Sequence, residues 1–212
     1  YIMTAFNPKN FDPKTGQPQN PPTKDEMFRM FRDRLLKDLQ TDAYRKGDYT
    51  LSSGKKTNHY VNCKPVSLSG EGSILIGTLL LDLVEDETLA IAGLTLGADP
   101  LVTSVAMTSW LDQTKRTKLD ALIIRKEAKD HGTTSQIEGR LPVQGCKVCV
   151  LEDVVTTGES AMKAVRVLRE AGYKVEQVLS IVDRQENDEA DDLFEKENIE
   201  FVSLFNLDDI SY

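Results

Sequence analysis

Five short apolar runs, at 89–96, 121–124, 148–151, 175–182 and 201–205, constrain the fold before any motif is considered. Each is rich in Val, Ile and Leu, and the intervals leave room for crossover helices, as at 100–110 and 160–171. Strands buried on both faces read as near-continuous apolar runs, and parallel neighbours need such crossovers. The pattern predicts an α/β fold built on a doubly wound, mainly parallel sheet. At 212 residues the chain has room for one such domain with an appendage, and it can bury a core without staples.

The N-terminal part follows other rules. Residues 1–22 hold five prolines among Asn, Gln, Lys and Gly, too little apolar surface to fold alone, and are read as an extended segment or linker. The start at Tyr1, Ile2, Met3 keeps a longer parent chain among the expectations. From Thr23 the pattern changes: Thr23 and Glu26 form a capping-box signature, and Phe28, Phe31, Leu35 and Leu39 recur at helical spacing. "DYTLSSGKKTNHYVNCK" sets two β-type stretches around a polar turn and predicts a hairpin over 48–64, followed by a helix carrying Ile74, Leu75, Leu79 and Val84. The helix and hairpin, about 23–64, are expected as a small hood subdomain on a domain of residues 23–212.

Charge and cysteine usage remove several classes of function. A net charge of −8 argues against the cationic surface by which proteins hold nucleic acid. No apolar run approaches the roughly 20 residues of a membrane helix, so no membrane partner is expected and the cytoplasm is the expected location. Cys63, Cys146 and Cys149 cannot build a disulfide framework. Cys146 and Cys149 spell C-x-x-C, yet the pair lies along a strand, where residues three apart face opposite sides. They read as core cysteines rather than as a metal or redox site.

The chemistry gathers at the strand ends, where ligands of open α/β sheets sit. Three strands finish in polar clusters: Arg125-Lys126-Glu127, Glu152-Asp153 and Asp183-Arg184. In "VCVLEDVVTTGES" the acids run into a small-residue turn and then a helix, whose first N–H groups and positive dipole end suit a phosphate. Glu152 and Asp153 would repel that phosphate, so they need donors such as vicinal ribose hydroxyls. Standing alone, the stretch would read as solvated acids beside an ordinary helix start. P-loop and G-x-G-x-x-G patterns are absent. Residues 115–131 carry six Lys or Arg against three acids. Two readings of that stretch stand: a solvated loop, or a cationic loop that closes over a polyanionic leaving group.

These residues resemble a known family. "VLEDVVTTGES" is similar to the phosphoribosyl pyrophosphate (PRPP) motif of type I phosphoribosyltransferases. "RKEAKDHG", with "IEG" downstream, resembles the catalytic loop of the orotate phosphoribosyltransferases; the likeness runs from about Phe28 to Phe205 and includes "LSSGKKTNHYVN" and "VDRQE". The resemblance implies the type I phosphoribosyltransferase fold and transfer of the phosphoribosyl group of PRPP to orotate, giving orotidine 5'-monophosphate and pyrophosphate in pyrimidine biosynthesis. It implies Mg²⁺ held mainly by PRPP oxygens, with no protein metal ligands. It also implies a homodimer with shared active sites, and a family occurring both alone and fused to orotidylate decarboxylase.

Carried over by position, Glu152 and Asp153 hold the ribose hydroxyls. Val154, Val155, Thr156, Thr157, Gly158, Glu159 and Ser160 line PRPP, the main chain from Thr156 onward taking the 5'-phosphate. Thr156, Arg184 and Tyr60 touch orotate, Arg184 through its carboxylate. Arg125, Lys126, Lys129 and His131 surround the pyrophosphate and, with Asp153, form the catalytic group. Many bacterial members have Lys where this chain has Ser52 and Gly97, and Val61 replaces one of two aromatics. The alternatives weighed are a phosphoribosyltransferase for another base and a non-catalytic PRPP-sensing regulator.

Overall fold

The computed structural model describes residues 22–50, 56–114, 117–127, 136–184 and 189–211. Helix α1 (Lys24–Asp38) opens on a complete capping box: the Thr23 hydroxyl accepts from the Glu26 N–H at 3.3 Å, and the Glu26 carboxylate accepts from the Thr23 N–H at 2.9 Å. Its apolar side buries Leu35 and rests Phe28, Phe31 and Leu36 on the core that it shares with α3 (Gly70–Leu83). A π-helical turn, Leu39–Ala43, passes the chain to strand β1 (Tyr44–Thr50), which pairs antiparallel with β2 (Lys56–Val61).

This hairpin starts earlier and ends sooner than the predicted 48–64. The polar "RKGD" reads as a break in sequence, but the register shifts between Lys46 and Tyr49, and that bulge lets pairing continue back to Tyr44. The predicted turn around Ser53 and Gly54 lies outside the described residues, as do residues 1–21.

After the short α2 (Lys64–Ser67) and α3, the chain builds a six-stranded sheet from β3 (Thr88–Leu94), β4 (Asp120–Ile124), β5 (Ile137–Gly139), β6 (Lys147–Val155), β7 (Gln177–Asp183) and β8 (Glu200–Asn206). Its order is β5-β4-β3-β6-β7-β8, parallel except for β5 at one edge. The winding reverses between β3 and β6, which places the topological switch point there. One face is covered by α1, α3 and α4 (Asp99–Leu111), the other by α5 (Glu159–Glu170) and α6 (Glu189–Lys196). The predicted doubly wound arrangement is therefore present, and all seven residues of β7 are buried as its apolar run requires. β5, three residues long with Ile137 buried and Glu138 and Gly139 exposed, carries no apolar run to mark it in the sequence.

Cys149 belongs to one core and Cys146 borders the other, the opposed placement expected along a strand. At the end of the sheet remote from the polar clusters, Lys147 Nζ lies 3.0 Å from Glu85, 3.4 Å from Glu87 and 3.0 Å from Glu176. Among the described residues no helix is long and apolar enough to cross a membrane.

Candidate active site

The acid pair occupies the centre of the sheet beside the switch point. Glu152 and Asp153 stand within β6, two residues before its end, so the strand itself fixes both backbones. Glu152 is 6% exposed; its Oε1 accepts from the Asp153 N–H at 3.2 Å, and its buried Oε2 has no hydrogen-bond partner. Burial pushes its carboxyl well above the ordinary range, and the neighbouring Asp153 charge adds to the effect. A buried acceptor left open at a strand end is suited to a ligand hydroxyl. Asp153 accepts from the Val154 N–H at 3.0 Å and faces Lys64 Nζ at 3.5 Å.

The turn after β3 approaches from the other side. A Cβ placed on Gly97 would lie 2.5 Å from Asp153 Oδ1, so only glycine admits this closeness. Thr95 donates to Asp99 Oδ2 at 2.8 Å and tightens the same turn.

Beyond Val155 the chain forms the turn Thr156–Gly158 and enters α5 at Glu159. Gly158, at φ 77°, is the N-cap and supplies no capping side chain, so the first-turn N–H groups have none from it. A left-handed backbone at this point suits glycine. Thr157, Glu159 and Ser160 are exposed, Thr156 is half-buried, and the Val155 side chain lies in the core, which leaves Val155 only its main chain to offer. Thr157 and Ser160, small and exposed, stand at the positive end of a twelve-residue helix, an arrangement that suits an anion, with Glu159 an acid in its first turn.

Arg184 follows β7 and is 5% exposed. Its N–H bonds to the Val155 carbonyl at 2.9 Å, which ties it to the strand leading into the cradle. Its Nη2 donates to Thr57 Oγ1 at 3.1 Å and to the His59 carbonyl at 3.2 Å, so the guanidinium fastens the β1–β2 hairpin to the sheet. His59 is braced from behind by the Tyr44 hydroxyl at 2.8 Å from its Nδ1. Tyr60 lies on the other side of the strand: it is 42% exposed and stacks on Tyr49 with ring centroids 5.1 Å apart. The hairpin thus brings Thr57 and His59 to Arg184, and not Tyr60.

The third polar cluster borders the same turn after β3. Arg125 follows β4, bonds to the Gln136 carbonyl through its N–H at 2.8 Å, and pairs with Glu138 at 3.2 Å. With Thr95, exposed Lys126 and Glu127 it lines an open depression of about 460 Å³. Lys129 and His131 lie outside the described residues, as does Ser52. Among the described residues no three potential metal-ligating side chains form a cluster.

Sequence reasoning did not single out Thr57, His59, Lys64 or the contact of Gly97 with Asp153. For Lys64 the only signal was its place directly after the hairpin; nothing local announces a partner 89 residues away.

No family model matches the chain. An orotate phosphoribosyltransferase of Thermosynechococcus vestitus is 53% identical over 186 residues, spanning 88% of this chain and 96% of the relative. Two solved structures of the Mycobacterium tuberculosis orotate phosphoribosyltransferase superpose with TM-scores of 0.71 and 0.67 at 35% and 32% identity, each covering 85% of this chain and 98% of that one. The second of these is a complex with PRPP. Leishmania donovani UMP synthase matches with a TM-score of 0.68 at 26% identity, over 84% of this chain but 36% of that larger one.

Proposed function

The chain belongs to the orotate phosphoribosyltransferase family, and from that premise we infer that it transfers the phosphoribosyl group of PRPP to orotate in pyrimidine biosynthesis, releasing pyrophosphate. In this reaction the anomeric C–O bond breaks, its electron pair leaves with pyrophosphate, and a ring nitrogen of orotate forms the new C–N bond and gives up its proton. Positive charge builds on the sugar while negative charge builds on the leaving group, so the protein's task is electrostatic and needs no nucleophilic side chain.

The observation that carries our assignment of roles is the sequence of acids, glycine turn and uncapped helix along one continuous segment, 152–160. Glu152 and Asp153 take the ribose hydroxyls. The main chain of Thr156 through Ser160 takes the 5'-phosphate, with Val154 and Val155 setting its approach. Arg184 takes the orotate carboxylate and Thr156 flanks the base, whereas Tyr60, turned away against Tyr49, takes no part. Arg125, Lys126, Lys129 and His131 meet the pyrophosphate.

Mg²⁺ fits this site through the substrate. The open Oε2 of Glu152 and the Asp153 carboxylate would hold the ribose hydroxyls, and Mg²⁺ would be held there mainly by PRPP oxygens rather than by protein ligands. When bound, it neutralises leaving-group charge.

Association of two copies, as the shared-site homodimer requires, is supported by α4, where Met107, Trp110 and Leu111 stand 61%, 61% and 73% exposed along one helical stripe. Free thiols at Cys63, Cys146 and Cys149 accord with the reducing cytoplasm. The UMP synthase match keeps fusion to a decarboxylase within the family's range. The direct test is orotate absorbance: it should fall only when PRPP and Mg²⁺ are both present. Consumption of a purine base in its place would redirect the assignment.

A further inference from the structure

We propose that Lys64 is a further substrate-binding residue, whose ammonium takes the diphosphate group of PRPP and rests on Asp153 in the free protein. The proposal rests on the phosphoribosyl-transfer reading above. Lys64 begins α2, where the hood joins the sheet domain. Its backbone is fixed: the Lys64 N–H donates to Asn62 Oδ1 at 3.2 Å, and the Asn62 N–H donates to the Ala43 carbonyl at 2.9 Å. The ammonium is held less firmly. It lies 3.4 Å from Asn62 Oδ1 and 3.5 Å from Asp153 Oδ2, whereas the Lys24 and Asp82 pair elsewhere on the surface closes to 2.7 Å. Charge-assisted bonds are usually about 2.7–2.9 Å, so both contacts of Lys64 are long and its donors are only partly committed. The Lys64 side chain is 38% exposed, against 13% for that of Asp153, so its ammonium is open to solvent as well as to the acid.

The turn on the other side of Asp153 cannot bring a cation to this carboxylate. Gly97 has no side chain, and even a Cβ there would lie 2.5 Å from Asp153 Oδ1. Leu96 is apolar and Thr95 is engaged with Asp99. Lys64 is the cation that the described residues place against the acid pair. Once ribose hydroxyls donate to Asp153, its carboxylate is shared with those donors. The next anion within reach is the diphosphate, bonded to the sugar carbon beside the hydroxyl-bearing ones. A lysine ammonium with three rotatable donors on a flexible stem can make that exchange without moving its backbone.

Calorimetry with two probes separates this role from a merely structural one. Inorganic pyrophosphate with Mg²⁺ reports the diphosphate position, and ribose 5-phosphate reports the hydroxyl and 5'-phosphate positions alone. We expect Lys64→Ala to weaken pyrophosphate binding by about 10- to 100-fold while leaving ribose 5-phosphate binding and the melting temperature unchanged. Lys64→Arg should recover most of the loss. Lys64→Gln, which keeps the stem, repeats the measurement if the alanine variant melts early. Unchanged pyrophosphate affinity, or equal weakening of both probes, overturns the proposal while a wild-type protein that consumes orotate keeps the functional reading. A wild-type protein that leaves orotate untouched overturns both.

Discussion

The segment 152–160 and the hood hairpin approach the same crevice by opposite means. The first is local: acids, turn and helix start lie within nine consecutive residues, and β6 and α5 fix their geometry with bonds that any strand and helix make. The second is assembled at a distance. Arg184 meets Thr57 across 127 residues and His59 across 125, and Lys64 meets Asp153 across 89. A motif of the first kind is specified by its own sequence, whereas a contact of the second kind exists only once the hood has docked. We therefore expect the two regions to fail differently: damage to the first should abolish the chemistry, and damage to the second should loosen one substrate.

The largest effect expected is at the acid pair. Asp153→Asn keeps its shape but loses an anionic acceptor, and should lower kcat/KM for PRPP on the order of 100-fold with little change in melting temperature. Full turnover in that variant would mean the local segment is not the reacting centre. Next is Gly158→Ala. At φ 77° a Cβ is strained, and it would stand 3.0 Å from the Phe194 ring, so stability should fall by about 1–2 kcal/mol and the melting temperature by about 2–8 °C. The PRPP KM should rise with it, because the cradle's backbone moves.

A smaller and more selective effect is expected at the hairpin. Thr57→Val removes an acceptor from Arg184 while preserving volume, and should raise the orotate KM by about 3- to 10-fold with the PRPP KM unchanged. If the PRPP KM rises instead, the hairpin belongs to the phosphate side and the contrast between the regions dissolves. The smallest effect concerns pH. The folded-state pKa of Glu152 is raised, so above its ordinary value of 4.5 the unfolded chain loses a proton that the native protein keeps, and stability falls as pH rises from there. Glu152→Gln removes this loss. Its stability advantage over wild type should be absent below that value and grow with pH above it, as thermal melts across the range would record.

How much of this was legible follows from the same contrast. The apolar runs gave the sheet because burial on both faces leaves a direct mark on composition, and the capping box gave the start of α1 because both partners sit three residues apart. The placement of Glu152, Asp153 and the turn into α5 was legible because strand end, turn and helix start lie in adjacent positions. The bulge that extends β1 to Tyr44 was hidden behind a polar "RKGD" that resembles a turn. Tyr60 attracted attention as an aromatic, yet the two-residue period of the strand puts Tyr60 on the face opposite Thr57, whose hydroxyl meets Arg184, while His59 reaches Arg184 through its carbonyl. Edge strand β5 has too few residues to carry a period at all.

The burial of Cys63 gives the docking of the hood a kinetic signature. Its Sγ is fully buried and lies 3.8 Å from the Asp153 carbonyl, at the seam where hairpin meets sheet, whereas Cys149 lies deep in the sheet itself. A thiol reagent in solution reaches Cys63 when the hood lifts, but reaches Cys149 only when the sheet comes apart. The ratio of their labelling rates therefore measures how much of the protein's breathing is local, and its slowing under PRPP would time the closure of the crevice from within.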